Sequence, residues 1–577
     1  MYHSYLMSTR GVQNGLVLLL TAASLGLWAY IYSHRPEMSL IVMYGAYYAM
    51  LALFFAWLYS AVSYLEAQQF SVPPFFKRYY PGLLFCLLVT LIIYGSVKPS
   101  FKTLPDELDL LSTSHSMVYR KTSVIDMKGA QFYGNFYPGM PSIDHRPFLY
   151  PFVTSLVHTL HGFDPDNAFL ANAFIAFLFL SAVFLCTKQV FDWPISLSSV
   201  ILVASIPIFS ISATSGGMDL LSCFLFGLSL ILLYTFLKNP GSELFALLWM
   251  TLLALGNARY EPIIFFCIFF GFLLALGYLK SQYFNDNRVL MAMTPLWLSL
   301  RVLERLINPQ FVSDPSAKQL FQLSNLRHNF LEFLRSQINF QYTLPYNPLL
   351  NLFAFILLVY LFSGVVIQKR FFQKPEQRRF ALILTLSILA QLMIMLSVGW
   401  GAYGDPSSAR YFLPFSVACA TVPFFWLVTL APETVAKLSS PFLLGSLALF
   451  FLYHPIAVEG RFINLLPTSR ETYFEHEVVR RRYPDKKIVV FVEEPDQFTS
   501  LEYGAADFAT ANSNIPRFLS GLEKHLYQDI VVIQRILYAT QAVDPKDALD
   551  PAYPLETISE YETGPDSFIR ISKVKEG

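Results

Sequence analysis

The sequence predicts an α-helical polytopic membrane protein of about thirteen spans, with a small α/β domain at its C-terminal end. Of its 577 residues, 54% are hydrophobic and only 14% are charged, whereas soluble domains carry about 25% charged residues. The 41 basic and 40 acidic residues nearly cancel, which excludes a nucleic-acid-binding protein because such proteins need a basic face. The apolar and aromatic content excludes a disordered chain. Lipid is therefore the main solvent of this chain.

Thirteen apolar runs are long enough to be considered as spans, since a helix needs about 20 apolar residues to cross a bilayer. The shortest run ends before Asn257, and Arg301 interrupts the ninth. The first run is longer than the apolar region of a signal peptide, so no cleavable signal is predicted. The runs are Gly11–Ser33, Met38–Val62, Tyr80–Val97, Asp166–Thr187, Pro194–Ala213, Met218–Leu237, Glu243–Gly256, Pro262–Leu279, Val289–Ile307, Leu349–Gln368, Phe380–Val398, Phe412–Leu430 and Val435–Tyr453.

Basic residues in the short loops set the orientation of such a chain. The loop QKRFFQKPEQRR carries the strongest basic cluster and is predicted to be cytoplasmic. This places the N-terminus inside and the C-terminus outside. The outer side then holds a first loop (98–165), a second loop (308–348), the turns 257–261 and 399–410, and the tail 458–577. Residues 1–457 form the predicted membrane domain.

The tail has the composition of a soluble domain. KKIVVFVEEP and QDIVVIQRIL predict two buried strands, and Ile515–Tyr527 has helical spacing. All five cysteines lie inside predicted spans, so this domain is expected to have no disulfide. It contains no glycine-rich phosphate loop, metal-ligand cluster or nucleophile elbow. An accessory or docking domain is the simplest interpretation.

The first outer loop ends in HRPFLYPFVTSLVHTLHGF, which predicts a helix with Phe148, Phe152, Leu156 and Leu160 near one face. This helix could lie in the membrane interface, where it could brace a lipid-linked substrate. It could equally re-enter the bundle and pack the loop.

An acidic pair, Asp106 and Glu107, follows the third predicted span. A carboxylate at this place can act as a general base beside a lipid head group. Adjacent residues point in different directions, so only one of the two is expected to face a substrate. Asp109 completes a DxxD spacing, which is too weak a pattern to indicate a metal site.

Three arginines lie at span ends on the side of the acidic pair: Arg146, Arg259 and Arg410. Arginine at a membrane edge is costly and often functional, and three together can clamp a phosphate or pyrophosphate. Glu261 could position Arg259 or bind a sugar hydroxyl. Asp219 is a further candidate, or it caps a span.

The order of these motifs resembles the GT-C glycosyltransferases, in particular the branch that uses polyprenyl-phosphate sugars. That branch includes protein O-mannosyltransferases, lipid A aminoarabinose transferases and RgtA-type sugar transferases. Asp106-Glu107 matches the acidic loop motif, HRPFLYPFVTSLVHTLHG the "KPPL" segment, and SGGMDLLSCFLF a Ser/Gly-rich turn followed by Asp. LALGNARYEPIIFF resembles a "tRyE" turn and ARYFLP a "RYllP" turn. The resemblance covers roughly Phe101–Pro414.

Two features depart from that pattern. The acidic loop follows the third span rather than the first, which implies two extra N-terminal spans. Arg146 stands where the family usually has Lys, which leaves phosphate binding plausible but changes the head-group contact.

The resemblance implies an inverting transfer from a sugar on undecaprenyl or dolichyl phosphate, with Asp106 as the base and Glu107 supporting or replacing it. A glycan, lipid or protein would be the acceptor, and no cofactor is required, although some relatives use a divalent metal. The implied setting is cell-envelope polysaccharide biosynthesis at the bacterial inner membrane, with the catalytic side and the tail domain in the periplasm. The implied substrate- and phosphate-binding residues are His145, Arg146, Asp219, Arg259, Glu261, Arg410 and Tyr411.

Two other functions stay open at this point. A transporter or flippase of lipid-linked sugars would have as many spans, although no internal repeat is evident and the outer loops are large for a carrier. A polysaccharide polymerase or ligase of related architecture would use a pyrophosphate-linked donor.

Overall fold

The computed structural model describes residues 35–575, together with the single residues 19, 22 and 26. Within that range several segments are not described. They are 104–105, 126–128, 133–134, 139–141, 144–145, 279–281, 299–321, 338, 340–345, 364–374, 400, 402, 404–405, 431–436, 438, 459–466 and 564–565. The first predicted span falls almost entirely outside the described residues.

Within the described part of the chain, six helices are long and apolar enough to cross a membrane. Each corresponds to one of the predicted runs. They are Arg35–Ala67 (apolar from Leu40), Val72–Ser96, Asn167–Lys188, Asp219–Lys238, Pro375–Ser397 and Ser439–Val458.

The predicted span Pro194–Ala213 is broken into two helices, Trp193–Ala204 and Pro207–Ala213, which are bent by 77°. Pro207 explains the break. Its ring disfavours helical geometry at Ile206, and it lacks the N–H that would continue the first helix, whereas it fits well as the first residue of the second. Counted as one span, this pair raises the number among the described residues to seven.

Other helices that match predicted runs are shorter than a full span of about 20 residues. Ser242–Gly256 has 15 residues and Ile263–Ala275 has 13, and the ninth run is represented by Arg288–Leu298. The prediction of thirteen complete spans thus stays a prediction. The other helices are Gln282–Asp286, Leu323–Gln337, Pro348–Ser363, Pro406–Ala409, the 3₁₀ turn Arg410–Phe412 and Leu413–Leu430.

The first outer loop contains two helices that border the candidate site. Asp106–Tyr119, here called the acidic helix, packs against Leu149–His161. Of the face predicted for the second helix, Phe152 is fully buried against the rings of Tyr47 and Phe54, whereas Leu160 is 82% exposed. The N-terminal part of this helix is therefore packed into the bundle. Between the helices lie the strand pairs β1 (Val124–Ile125) with β4 (Ser142–Ile143) and β2 (Gly129–Phe132) with β3 (Asn135–Pro138).

The C-terminal region is a small α/β domain, as predicted. Its five-stranded sheet has the order β6-β5-β7-β9-β8. The first three strands are parallel and the last two pair antiparallel. The strands are β5 Ile488–Phe491, β6 Gly504–Ala506, β7 Asp529–Leu537, β8 Leu555–Glu562 and β9 Ser567–Val574, and the helices are Pro467–Arg482, Asp496–Thr499, Phe508–Ser513 and Ile515–Glu523.

The sheet is covered on both faces, which explains the continuous apolar runs of its central strands. Val490 and Val531 belong to the core on one face, and Val489 and Val532 to the core on the other. The two runs that predicted strands are β5 and β7 at the centre of the sheet. Strand β6 lies next to β2 of the first outer loop, so that loop and the domain occupy the same end of the bundle.

Candidate active site

The acidic helix separates the two members of the acidic pair. Asp106, Glu107 and Asp109 all lie in its first turn, where the helix dipole favours negative charge. The Asp106 side chain is 31% exposed, while Glu107 and Asp109 are buried at 1% and 4%. As expected for adjacent residues, one carboxylate of the pair faces the accessible side and the other faces the protein interior.

Asp106 is held between two arginines from distant parts of the chain. Arg146 Nη2 lies 2.6 Å and its Nε 3.2 Å from Asp106 Oδ1, and Arg410 Nη2 lies 2.7 Å from Oδ2. Arg146 Nη1 also donates to Asp109 Oδ2 at 2.5 Å. Burial would raise the pKa of Asp106, but the charges of Arg410 and Arg146 outweigh it and hold this pKa well below its usual range. In this arrangement Asp106 is therefore ionised but a weak base.

A second group of ion pairs adjoins the first. Arg259 Nη1 donates to Asp219 Oδ1, and Arg259 Nε lies 3.1 Å from Glu261 Oε2. Arg410 Nη1, 3.8 Å from Asp219 Oδ2, links the two groups. Three arginines and four carboxylates thus alternate in one continuous chain: Asp109, Arg146, Asp106, Arg410, Asp219, Arg259 and Glu261.

Tyr411 lies between two of these arginines. Its ring centroid is 4.2 Å from Arg259 Cζ and 4.9 Å from Arg410 Cζ, and its hydroxyl accepts from Arg410 Nη2 at 3.0 Å. A ring face attracts a guanidinium group, and this attraction strengthens when the pair is removed from water. Tyr411 therefore fixes the orientation of both guanidinium groups.

Glu107 has a separate environment. Its Oε2 accepts from the backbone N–H of Lys102 at 2.5 Å. Burial raises the pKa of Glu107 to about 7, although hydrogen bonding from Lys102 and the charge of Arg410 oppose this effect. Its support for Asp106 stays a prediction, and in this geometry that support would come from the interior side of the site.

The turn Ser215–Met218, here called the SGG turn, separates Glu107 from Asp219. The amide of Asn172 donates to the carbonyls of Ser215 and Gly217 at 2.7 and 2.8 Å and holds the turn in place. A Cβ atom on Gly217 would lie 3.2 Å from Asp219 Oδ2 and 3.3 Å from Glu107 Oε1. A side chain at this position would therefore displace the two carboxylates by a few tenths of an ångström.

We expect Gly217→Ala to lower kcat/KM by about tenfold, because small displacements of catalytic groups are costly. The added methyl group would push Asp219 away from Arg259 and Arg410. The measurement is steady-state transfer by purified protein. Gly45→Ala is the matched control, since a Cβ atom there meets nothing within 4 Å. Equal activity of the two variants would contradict the close approach at Gly217.

The structure brings together eight of the nine predicted site residues: Asp106, Glu107, Arg146, Asp219, Arg259, Glu261, Arg410 and Tyr411. His145 lies outside the described residues. The sequence did not indicate the partnership of Asp109 with Arg146, the N–H of Lys102 on Glu107, or the support from Asn172. Among the described residues, no cluster of three or more His, Cys, Asp or Glu side chains could hold a metal ion.

The family of dolichyl-phosphate-mannose-protein mannosyltransferases matches residues 145–299 of the chain. That segment carries Arg146, Asp219, Arg259 and Glu261. Among curated proteins, none gives a significant match.

The chain is also similar to solved structures of ArnT from Cupriavidus metallidurans. The apo state gives a TM-score of 0.46 at 14% identity, covering 86% of this chain and 98% of that chain. The undecaprenyl phosphate complex gives a TM-score of 0.41 with the same identity and coverage.

The predicted resemblance is confirmed over this segment: residues 145–299, which carry Arg146, Asp219, Arg259 and Glu261, are similar to the dolichyl-phosphate-mannose-protein mannosyltransferases, and the chain is an integral membrane protein.

Proposed function

We propose that this protein transfers a sugar from a polyprenyl phosphate to an extracytoplasmic acceptor with inversion at the anomeric carbon. One observation carries the proposal: a partly exposed carboxylate, Asp106, lies between the guanidinium groups of Arg146 and Arg410. Such a site combines a group that can accept a proton with groups that can bind a phosphate. The description of the matching family, which names a mannose on dolichyl phosphate, supports a donor of this class.

The ion-pair chain indicates how binding of the donor phosphate changes the basicity of Asp106. Asp106 pairs with both arginines, so a phosphate must compete with this carboxylate for them. As the arginines turn toward the phosphate, Asp106 loses the positive charges that lower its pKa. Donor binding thus increases the basicity of Asp106 at the moment when a base is needed.

The transfer step then proceeds in one displacement. The acceptor hydroxyl oxygen attacks the anomeric carbon while its proton passes to Asp106. The bond between the anomeric carbon and the phosphate oxygen breaks, and the electron pair leaves with the polyprenyl phosphate. Arg146, Arg259 and Arg410 stabilise the charge that develops on this leaving group. Tyr411, by its contacts with two of the arginines, keeps their orientation.

The proposal is tested with purified protein in neutral-lipid nanodiscs. We expect tight, salt-sensitive binding of undecaprenyl phosphate. When candidate glycan, lipid and protein acceptors are added, we expect release of undecaprenyl phosphate from a panel of undecaprenyl-phosphate monosaccharides, at a rate that depends on the sugar of the donor. Arg78→Gln, near the N-terminal end of the helix Val72–Ser96, is a charge-matched control and should not change either result.

Two outcomes would overturn the proposal in favour of the alternatives. Movement of a lipid-linked sugar across a vesicle membrane without any transfer would indicate a transporter or flippase. Turnover confined to pyrophosphate-linked donors, tested beside monophosphate donors, would indicate a polymerase or ligase.

A further inference from the structure

A cavity of about 350 Å³ lies between the membrane domain and the C-terminal domain. One wall is the segment Lys98–Phe101 with Asp166 and Phe169, and the other is the helix Pro467–Arg482 with Leu501. Its volume falls within the range of small-molecule sites. It lies outside the ion-pair chain described above.

The cavity walls carry more positive than negative charge. Lys98, Arg480 and Arg481 face Asp166 and Glu477, which leaves one positive charge in excess. Arg480 Nη2 is 4.0 Å from Asp166 Oδ1 and Arg481 Nη2 is 3.1 Å from Glu477 Oε1, and every one of these side chains is at least 43% exposed. Because solvated pairs are weak, these arginine groups can turn to an anionic ligand at little cost.

Two ring side chains add groups suited to a sugar. Tyr473 lies under Lys98 Nζ, which is 4.2 Å from the ring centroid. His476 lines the same cavity, and its Nε2 atom is buried without a hydrogen-bond partner among the described residues. Burial and the charge of Arg480 lower the pKa of His476 to about 3, so its ring is neutral at physiological pH. The neutral ring of His476 thus adds an uncharged surface to the cavity wall, against which a sugar ring can pack.

The segment Lys98–Lys102 connects this cavity to the active site. Ser100 N–H donates to the carbonyl of Thr214, next to the SGG turn, at 3.2 Å. The Phe101 ring contacts Phe169 and lies 3.1 Å from the position of a Cβ atom on Gly216. The backbone N–H of Lys102 then donates a hydrogen bond to Glu107 Oε2. One side of this short segment lines the cavity, and the other contacts the turn that positions Asp219.

We propose that this cavity binds the acceptor, and that the acceptor is a saccharide carrying an acidic group. The excess positive charge selects the anion, and Tyr473 and His476 meet the sugar. The segment Lys98–Lys102 joins the cavity to the SGG turn and to Glu107, so the bound acceptor lies beside the elements that form the active site. The identification of the bound molecule as the acceptor rests on the proposed glycosyl transfer, whereas binding itself can be measured without any transfer.

The test uses the full chain in neutral-lipid nanodiscs and two matched probes, digalacturonic acid and the neutral disaccharide galactobiose. We expect digalacturonic acid to bind about tenfold more tightly, since its carboxylates can form charge-assisted hydrogen bonds with the arginine and lysine groups of the cavity. The double variant Lys98→Gln/Arg480→Gln should abolish this difference. Arg482→Gln, a neighbour on the same helix that does not line the cavity, should keep it.

Equal binding of the two probes by the wild-type protein would overturn the proposal, and so would a preference that survives the double variant. Undecaprenyl phosphate binding is measured in the same samples and should not change in any variant. If undecaprenyl phosphate fails to bind even to the wild-type protein, the proposed function fails. The comparison of the two probes would still decide the role of the cavity.

Discussion

Asp106→Asn is expected to lower the transfer rate by about a thousandfold and, at the same time, to tighten the binding of undecaprenyl phosphate by about tenfold. The loss follows from removal of the general base, which contributes 10²–10⁴ in rate. The gain in binding follows from the geometry, because Arg146 and Arg410 each donate to this carboxylate at 2.6 and 2.7 Å. Asparagine keeps the shape but not the charge, so both arginines become available to a phosphate.

The opposite signs of the two effects make this variant informative. Single-turnover transfer measures the first and equilibrium binding of undecaprenyl phosphate measures the second. Asp507→Asn is the matched control: Asp507 caps the helix Phe508–Ser513 through Thr510 N–H, and Asn caps a helix equally well. Wild-type turnover by Asp106→Asn would refute the role of base. Loss of both turnover and binding would instead make Asp106 an organiser of the arginines.

The sequence predicts which residues form the site better than it predicts how they are paired. Motif order and sidedness are enough to select Asp106, Arg146 and Arg410. Their pairing depends on tertiary contacts between residues 40 and 304 positions apart, which no local pattern encodes. As a result, the sequence assigns the arginines to a phosphate, while the structure shows that carboxylates pair with them.

Two features of the structure have a local signal in the sequence. Asp106 and Asp109 are three residues apart, a spacing that places both on one face of a helix, and both reach Arg146. Pro207 marks the break in the predicted span Pro194–Ala213. Strand β6, in contrast, contains only Gly504, Ala505 and Ala506. These residues have no β propensity, so that strand exists because β5 pairs with it.

Arg410→Gln is expected to reduce kcat/KM by about a hundredfold and to move the acidic limb of its pH profile to higher pH. The rate effect reflects the loss of one charge that stabilises the leaving phosphate. Arg410 Nη2 contacts Asp106, Nη1 lies 3.8 Å from Asp219, and the guanidinium lies over Tyr411. The substitution therefore removes the link between the two groups of ion pairs, and donor binding should weaken as well.

The direction of the pH shift follows from the forces on Asp106. In the wild-type protein burial opposes its ionisation, but Arg410 and Arg146 together hold its pKa well below the usual range. With Arg410 removed, Arg146 alone opposes burial, so the pKa rises and Asp106 becomes protonated at a higher pH than in the wild type. The pH profile of kcat/KM reports the pKa of this group in the free enzyme.

Arg410→Lys keeps the positive charge but not the planar, bidentate guanidinium geometry, so it should weaken donor binding while leaving the acidic limb near its wild-type position. An Arg410→Gln profile that superimposes on the wild type after scaling would mean that Arg410 acts on the donor alone, and that another group sets the basicity of Asp106.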